Sequence, residues 1–464
     1  MRHSSLLIVA ATLLMTACKN DDPPEVPCLY DCVPAGDLAP GDADVGRAYV
    51  LEEGFMTCGI PTPIFEFGAA LIETNEPLDG RTGNSADLPY DLTAGTSPRG
   101  VEVVNTNCLS CHASYLNGEL VLGLGNVKRE GGDDSEDAVD LGMMLADTDE
   151  EVVELEIAGD IAHVTDQYTL DTIGMNAGAT TLMAVTAFRD PETLAWLEEP
   201  HMDLPPDVLP MDVPAWWHMR KKNAMFAHTA GRGDWAIMAM NAAAACAETP
   251  ELAAYVLDMA PHVRAWVQSM KPPAWPRAVD QDLADDGRDV FEETCSECHG
   301  TYRDGEHVYP NVVVPLDVVG TDPEAGSVTE TWQGAWDGFF SRNDFGANLD
   351  WAPQEGYIAP PLDGVWASAP YFHNGSVPTV AAVIDPSQRP DVWKRTSRDS
   401  TDYSYSKMGW NWEHVDEPRD SFPEEEQFDI YDTSRHGYSN DGHAFGAGLD
   451  KDQQAAVLEY LKTL

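Results

Sequence analysis

The pattern C-x-x-C-H occurs twice in the chain, as Cys108-Leu109-Ser110-Cys111-His112 and as Cys295-Ser296-Glu297-Cys298-His299. In each copy two thiols stand at the spacing that can bond the two vinyl groups of one porphyrin, and the next residue is an imidazole that can bind the iron. The chain is therefore predicted to carry two covalently bound haem c (heme c) groups, with His112 and His299 as iron ligands. The chemistry of such a protein is redox chemistry, in which the polypeptide positions the irons and controls what reaches them.

Other uses of paired thiols fit the flanking sequence less well. A zinc site would need further ligands nearby, and a thioredoxin-like dithiol would sit between a strand and a helix without a trailing histidine. Instead, a short amphipathic helix is predicted before each motif. Ser97 and Pro98 would begin the first helix, with Val101 and Val104 on one face. Four residues share a face of the second helix: Leu283, Gly287, Val290 and Phe291.

The end of the chain is predicted to form a helix that packs against the one before Cys295. Asp450 and Gln453 have the spacing of a capping box, and four apolar residues then follow on one stripe, namely Val457, Tyr460, Leu461 and Leu464. In small cytochromes c the first helix carries a glycine and an aromatic residue and crosses the last helix closely. The segment with Gly287 and Phe291 resembles that first helix.

The composition limits the classes of partner that the protein can bind. The formal net charge of the 464-residue chain is −52, because 79 Asp and Glu residues face 27 Lys and Arg residues. Duplex DNA and anionic lipid surfaces repel such a chain, so nucleic acid is excluded as a partner. The charge agrees both with solubility in a saline or extracellular setting and with steering of a cationic redox partner, and the sequence does not separate the two.

The N-terminus predicts export. Met1-Arg2-His3 precedes an apolar run from Leu6 to Met15 that is too short for a conventional spanning helix, so residues 1–17 are interpreted as a signal peptide. The sequence before Cys18 resembles a bacterial lipoprotein box, with Met15 where that pattern prefers Leu. Cys18 would carry the lipid, the only membrane contact, and ordinary cleavage is the alternative. Both predict a periplasmic or cell-surface protein.

Nine cysteines are present. The four motif thiols and Cys18 leave Cys28, Cys32, Cys58 and Cys246, an even number that can form disulfides in an oxidising compartment. The favoured pair is Cys28 with Cys32. Free buried thiols are the alternative, and for Cys246 this alternative carries equal weight.

We predict a mainly α fold, made of two cytochrome-c-like haem domains with long irregular loops and insertions. Residues 18–46, rich in Asp and Pro, are predicted to be a disordered tether. Residues 47–277 would form the N-terminal haem domain and residues 278–464 the C-terminal one. The boundary is placed after Lys271-Pro272-Pro273, which ends a helix predicted over 250–270. Other helices are predicted over 148–158, 191–198 and 234–247.

A second motif lies between the two haem motifs, in Asp212-Val213-Pro214-Ala215-Trp216-Trp217-His218-Met219-Arg220-Lys221-Lys222-Asn223. Paired indoles beside three consecutive cations are unusual in so acidic a chain. In the structural interpretation Trp216 and Trp217 pack in the core while the cations pair with haem propionates. In the functional interpretation one indole lies between the porphyrins and relays electrons, because its π system shortens the tunnelling gap.

The order of these motifs resembles one protein family. The motifs follow one another as a haem motif, Trp-Trp-x-x-x-Lys-Lys, a haem motif, Ala369-Pro370-Tyr371-Phe372-His373-Asn374-Gly375-Ser376 and Ser439-Asn440-Asp441-Gly442-His443. This order resembles the one seen in the rubber-oxygenase-like branch of the bacterial dihaem cytochrome c peroxidase superfamily. The resemblance runs from about residue 46 to the C-terminus. It implies an N-terminal haem with an open or exchangeable distal side for oxygen chemistry and a bis-histidine C-terminal haem that handles electrons.

The resemblance also implies roles for single residues. His112 and His299 would be proximal ligands, His443 the distal ligand of the second haem, and Trp216 or Trp217 the inter-haem residue. Peroxidase members of the superfamily use a Met as that distal ligand, so Met408 is the alternative to His443. His373 is interpreted as a structural or propionate-contacting residue. Cleavage of rubber is not inferred, because no stretch of this chain specifies a polyisoprene channel.

The predicted function is a haem oxidoreductase, peroxidase-like or oxygenase-like. The first haem would activate dioxygen or peroxide and the second would relay electrons through the Trp pair. The partner would be a redox protein or a small-molecule oxidant. The alternative is a plain electron-transfer cytochrome c with both irons six-coordinate and no substrate of its own.

Overall fold

The structure is a computed structural model that describes residues 28–70, 74–127, 135–303, 306–327 and 329–464. The predicted signal peptide and Cys18 lie outside these residues. The described helices are α1 (Ala43–Leu51), α2 (Thr62–Ala69), α3 (Leu109–His112), α4 (Ser135–Leu145), α5 (Asp149–Thr165), α6 (Gly178–Ala187), α7 (Trp235–Met240), α8 (Pro250–Ser269), α9 (Gln281–Thr294), α10 (Ser296–His299), α11 (Leu316–Val319), α12 (Glu324–Ser327), α13 (Thr329–Gly338), α14 (Val380–Ile384), α15 (Glu424–Gln427) and α16 (Lys451–Leu461).

Short strands are distributed along the whole described chain. They are β1 (Asp31–Cys32), β2 (Ile60–Pro61), β3 (Leu92–Thr96), β4 (Glu102–Thr106), β5 (Ala113–Leu116), β6 (Glu119–Leu122), β7 (Gly231–Gly233), β8 (Thr301–Arg303), β9 (Glu306–Val308), β10 (Val312–Pro315), β11 (Leu349–Trp351), β12 (Gly356–Ile358), β13 (Val392–Arg395), β14 (Tyr403–Ser404), β15 (Gly409–Trp410), β16 (Trp412–His414) and β17 (Ile430–Asp432).

These strands form small antiparallel sheets. Three sheets have three strands, in the orders β2-β4-β3, β1-β10-β12 and β16-β13-β17, and the pairs β5-β6, β7-β11, β8-β9 and β14-β15 complete the described set. Some pairings join positions far apart in sequence, such as Cys32 with Val312 and Gly231 with Trp351. The loops between the helices are therefore fixed by hydrogen bonds to distant segments.

The predicted fold class is wrong. The structure is 41% helical and 15% strand, so the fold is mixed α/β rather than mainly α with two cytochrome-c-like domains. The reason is that strands of two to five residues leave almost no hydrophobic alternation to detect, and their partners lie far away in the sequence.

Two of the predicted helices do not form. The segment before the first haem motif is β4, which pairs along its length with β3, so the three-residue spacing of Val101 and Val104 was wrongly taken for helical periodicity. Residues 191–198 form no helix. The Asp190 carboxylate accepts hydrogen bonds from the N–H groups of Glu192 and Thr193 as an N-cap would, but Leu194 then has a φ of 62°. This positive φ directs the chain into a turn.

The remaining helix predictions are confirmed. The capping box of Thr148 and Glu151 starts α5, and the box of Asp450 and Gln453 starts α16. Residues 234–247 form α7 and a following 3-10 turn, and α8 ends at Ser269 before the Pro-rich stretch.

Helices α9 and α16 cross closely, as predicted. The crossing is at Gly287, where an added Cβ would overlap the carbonyl oxygen of Ala456. Beside it the rings of Phe291 and Tyr460 have centroids 5.3 Å apart. The helix that carries the second haem motif is therefore held by the last helix of the chain.

Two large apolar cores lie behind the haem motifs. The first core joins α1, α7 and α8 with Leu109 and with three phenylalanines from later in the chain, Phe339, Phe340 and Phe345. The second core joins Phe291, α16 and the β13 region with residues such as Leu124 and Met175. Each core thus draws side chains from both sides of the predicted boundary at residue 277, which itself stays a prediction.

The described cysteines outside the haem motifs form two disulfides. The favoured Cys28–Cys32 pair is confirmed, and Cys246 is paired with Cys58 rather than free. Within the segment predicted as a tether, β1 pairs with β10 and α1 begins at Ala43. Among the described helices, none is both long and apolar enough to cross a membrane.

Candidate haem sites

The first motif is one helical turn, α3, with a polar cap. The Asn107 side-chain oxygen accepts a hydrogen bond from the N–H of Leu109 at 2.8 Å, and its amide donates to the carbonyl oxygen of Tyr90 at 3.0 Å. The N–H of His112 donates to the carbonyl oxygen of Cys108 at 3.0 Å. This turn brings Cys108, Cys111 and His112 together, as covalent haem attachment requires.

The second motif continues directly from α9. The N–H of His299 donates to the carbonyl oxygen of Cys295 at 3.0 Å, and Gly300 ends the turn with a φ of 81°. The Nδ1 atom of His299 lies 2.8 Å from the carbonyl oxygen of Pro360. Donation from Nδ1 to a backbone carbonyl is the usual support for a metal-binding histidine, because it leaves Nε2 free for the metal.

The motif cysteines are chemically distinct from the others. Cys108, Cys111, Cys295 and Cys298 are half-buried and form no disulfide. Burial, with a smaller effect of the neighbouring thiol, raises the pKa of Cys108 and of Cys295 to about 12. In the described part of the chain, no three His, Cys, Asp or Glu side chains converge to hold a bare metal ion.

The structure brings His443 opposite His299. Their ring centroids are 6.2 Å apart with the planes inclined at 62°. Two imidazoles on opposite sides of one metal atom need about this separation, given metal–nitrogen bonds of about 2 Å. Burial lowers the pKa of His299, and burial together with the nearby His299 and Arg389 lowers that of His443 to about 3. Both rings are therefore neutral at pH 7, the form that binds metals.

Met408, the alternative ligand, is placed differently. It is fully buried in the second core, in the turn between β14 and β15, and its carbonyl oxygen accepts a hydrogen bond from the N–H of Val380 at 2.8 Å. The structure thus pairs His299 with an imidazole and uses Met408 for packing.

The two tryptophans have different partners. The ring of Trp216 stacks on His112, with centroids 4.8 Å apart and an angle of 27°. Trp217 instead donates its Nε1–H to the carbonyl oxygen of Asp363 at 2.8 Å, three residues after the carbonyl of Pro360 that supports His299. Trp216 belongs to the first apolar core and Trp217 to the second. Adjacent indoles therefore connect the surroundings of the two motif histidines.

The three cations after the Trp pair have different surroundings. Arg220 is exposed, and Lys221 forms an ion pair with Asp363 at 2.7 Å. Lys222 is only 8% exposed, and within the described chain no carboxylate lies within ion-pair distance of it. Burial lowers the pKa of Lys222 to about 8. A negative group beside Lys222 would offset this effect of burial and favour the charged amine.

Two histidines near Lys222 are also unsatisfied. The Nε2 atoms of His228 and His373 are buried and have no hydrogen-bond partner among the described residues. His373 stacks on Tyr357 at 4.1 Å, and Lys222 acts electrostatically on His228, which acts in turn on His373. These three buried nitrogen groups suit a carboxylate, which a haem propionate provides. The donor set therefore fits haem, and it extends the propionate-contacting role predicted for His373.

Several site residues were missed at the sequence level. The Pro360 carbonyl, Asp363 and Arg389 act through backbone or long-range contacts, and a carbonyl group carries no residue-type signal. Of the other histidines, His218 lies with Nε2 3.0 Å from the carbonyl oxygen of Asp363, and His201 with Nε2 3.3 Å from that of Thr186. Both are used in structural hydrogen bonds.

Comparison with known proteins gives a family match to one segment near the second haem motif. A family described as RoxA-like, cytochrome c-like matches residues 356–394, which include Pro360, Asp363 and Arg389. Two relatives come from Sinorhizobium fredii (strain NBRC 101917 / NGR234). The uncharacterized protein y4iJ is 27% identical, with 42% of this chain and 41% of the relative covered. The uncharacterized protein y4iM is 24% identical, with 59% of this chain and 69% of the relative covered.

These matches determine how specifically the protein can be assigned to a family. The chain spans less than half of y4iJ, and placement in the dihaem peroxidase superfamily stays a prediction. A cytochrome c-like match implies covalently bound haem c and suggests a protein outside the cytoplasm. Through residues 356–394, the comparison supports a RoxA-like cytochrome of the c type.

Proposed function

We propose that this protein is a dihaem c-type cytochrome that acts as an oxidoreductase. The haem at His112 would react with dioxygen or peroxide, and the haem at His299 would relay electrons. The observation that carries this division is the position of His443, whose imidazole lies opposite that of His299 with ring centroids 6.2 Å apart. At the first site the indole of Trp216 stacks on the face of the His112 ring.

The polypeptide would set these roles by what it offers each site. Haem supplies electron transfer and, where one axial position is open, activation of a small oxidant. At the second site Pro360 orients His299 from behind while His443 fills the opposite side, which favours electron transfer over ligand binding. At the first site Trp216 packs on the imidazole and keeps water from that face.

The proposed electron path between the two sites crosses few bonds. From Trp217 it passes through a hydrogen bond to the Asp363 carbonyl. It then follows three residues of backbone to Pro360 and passes through a second hydrogen bond to His299. Lys221 and His218 hold the same Asp363 at 2.7 Å and 3.0 Å. This clamp would keep the path rigid, so that the electronic coupling between the sites does not depend on loop motion.

We propose a periplasmic or cell-surface lipoprotein, anchored through Cys18, whose partner is a redox protein or a small-molecule oxidant. The competing function is a plain electron carrier.

Carbon monoxide separates the two functions, because it binds only ferrous haem with an open or weakly held axial position. The purified dihaem protein is reduced anaerobically and titrated, and the reduced-minus-oxidised and CO-difference spectra are recorded. We expect one haem per chain to bind carbon monoxide and the other to stay low-spin. His443→Ala should make the second haem bind carbon monoxide as well.

The titration can also contradict the proposal. If neither haem binds carbon monoxide or shows a high-spin signal, the protein is an electron carrier. If the CO-binding haem is the one attached at Cys295 and Cys298, the roles of the two sites are reversed. Peptide mapping with haem stain identifies the chromophore in either case.

A further inference from the structure

We propose that Arg389 is the positioning residue for the sixth ligand of the second haem, because it fixes the backbone of the segment that presents His443. The inference rests on the proposed ligand role of His443. Arg389 itself does not touch His299. It acts through residues 440–443, here named the ligand loop.

All five N–H groups of the Arg389 guanidinium are used, and every acceptor is a backbone carbonyl oxygen. Two bonds tie it to the end of α14 and three to the ligand loop. The acceptors are Ala382 at 3.0 Å, Val383 at 3.3 Å, Asn440 at 2.7 Å, Gly442 at 2.7 Å and His443 at 3.1 Å. The loop is thus attached to a fixed helix through a single side chain.

The ligand loop needs such support because its own backbone is unfavourable. Gly442 and His443 both have positive φ, 74° and 41°, and a non-glycine residue such as His443 keeps that conformation only where its surroundings enforce it. The N–H of His443 donates to the carbonyl oxygen of Val319 at 2.6 Å. Gly442 lies so close to Gly320 that an added Cβ would overlap its backbone. The loop is therefore held between α11 and Arg389.

Arg389 also bears on the imidazole through Phe372. The guanidinium lies 4.9 Å from the centre of the Phe372 ring, and that ring lies 5.9 Å from the ring of His443. A lysine could keep the charge but could not reach five carbonyls in different directions, because its donors radiate from one atom. The planar fork of arginine is therefore what the geometry requires.

Arg389→Gln tests the inference in the complete dihaem protein. We expect both haems to stay covalently attached, as haem stain and intact mass show, while the second haem changes from low-spin to at least half high-spin. Added imidazole should restore the low-spin spectrum, because the axial position is vacated and not destroyed. Arg389→Lys should give an intermediate spectrum. Arg342→Gln, at an arginine that is 45% exposed and pairs with Glu192, is the matched control and should leave the spectrum unchanged.

Each result decides the question. If Arg389→Gln keeps the low-spin spectrum while His443→Ala becomes high-spin, His443 is the ligand but Arg389 does not position it. If His443→Ala itself stays low-spin, the ligand assignment fails and the inference fails with it. Should Arg389→Gln not accumulate, Arg389→Lys provides the test, since a lysine keeps the charge but cannot reach the five carbonyl oxygens. A partly high-spin spectrum in that variant supports the inference, and an unchanged one overturns it.

Discussion

Trp216 and Trp217 show how two adjacent residues can serve two different sites. They start a 3-10 turn, in which neighbouring side chains point in different directions, so one indole enters each apolar core. The sequence shows the Trp-Trp pair, but it does not show that the two indoles have different partners. That difference depends on where His112 and Asp363 lie, and neither is close to the pair in sequence.

Replacing either indole should slow electron equilibration between the haems without loss of haem. In Trp216→Phe a smaller ring faces His112, and in Trp217→Phe the hydrogen bond to Asp363 is lost, so we expect at least a tenfold slower rate in the double variant. Equilibration is measured by flash photolysis of the half-reduced CO complex. Trp393→Phe, in the second core away from the path, is the control. Unchanged rates in both single variants and the double would remove the relay from the proposal.

Lys222 should raise the midpoint potential of a nearby haem. A buried amine favours the reduced haem, which carries one more electron, and Lys222 has no carboxylate near it to cancel this effect in the described chain. Lys222→Met should therefore lower one of the two potentials by about 60 mV, a tenfold change for a one-electron couple. Spectroelectrochemical titration gives both values. Lys394→Met, at a lysine that is 37% exposed and pairs with Glu413, should change neither.

Unchanged potentials in Lys222→Met would show that this lysine is neutral or distant from both haems. A fall in potential that is equal for the two haems would instead indicate a general loss of positive charge. The Lys394 variant removes the same charge from the surface, so it measures that general effect directly.

At the scale of elements, local signals predicted helices and missed strands. Helices α5 and α16 begin at capping boxes and α8 at a proline in its first turn, all visible within four residues, and α9 has its apolar positions on one face. The strand β4 has two adjacent valines, yet it is defined by its pairing with β3 and β2. The haem motifs were equally local and could be predicted. The carbonyl groups that bind Arg389 could not, because they lie up to 54 residues away.

The crossing of α9 and α16 should tolerate no side chain at Gly287. Gly287→Ala would place a Cβ against the Ala456 carbonyl and force the helices apart, which costs about 1–3 kcal/mol for overpacking. Because α9 leads directly into Cys295, haem at the second site should also become less completely attached. Thermal unfolding and haem stain measure the two effects. Gly334→Ala, in α13 with no atom within 4 Å of the added Cβ, should be neutral or slightly stabilising.

For the whole molecule, the two cores are interdependent. Phe339, Phe340 and Phe345 complete the first core although they follow the second haem motif, and the Cys58–Cys246 disulfide joins positions 188 residues apart. No composition change marks these long-range contacts, so a boundary drawn from Pro-rich sequence could not reveal them. Arg99 adds another link, since it binds Glu154 on α5 and Glu248 before α8, each at 2.7 Å.

The charge of the molecule should control which redox partners it accepts. With a net charge of −52, the protein attracts cations over about 30 Å at 10 mM salt but over only about 3 Å at 1 M. Oxidation of the reduced protein by hexaammineruthenium(III) should therefore slow by about tenfold or more as NaCl increases over this range. Reduction by dithionite, an anion, should become faster. Stopped-flow spectroscopy gives both rates, and a neutral quinone serves as the control. Equal salt dependences for the cation and the anion would mean that the acidic surface steers no partner, whereas opposite slopes would show that it favours cationic redox partners over anionic ones.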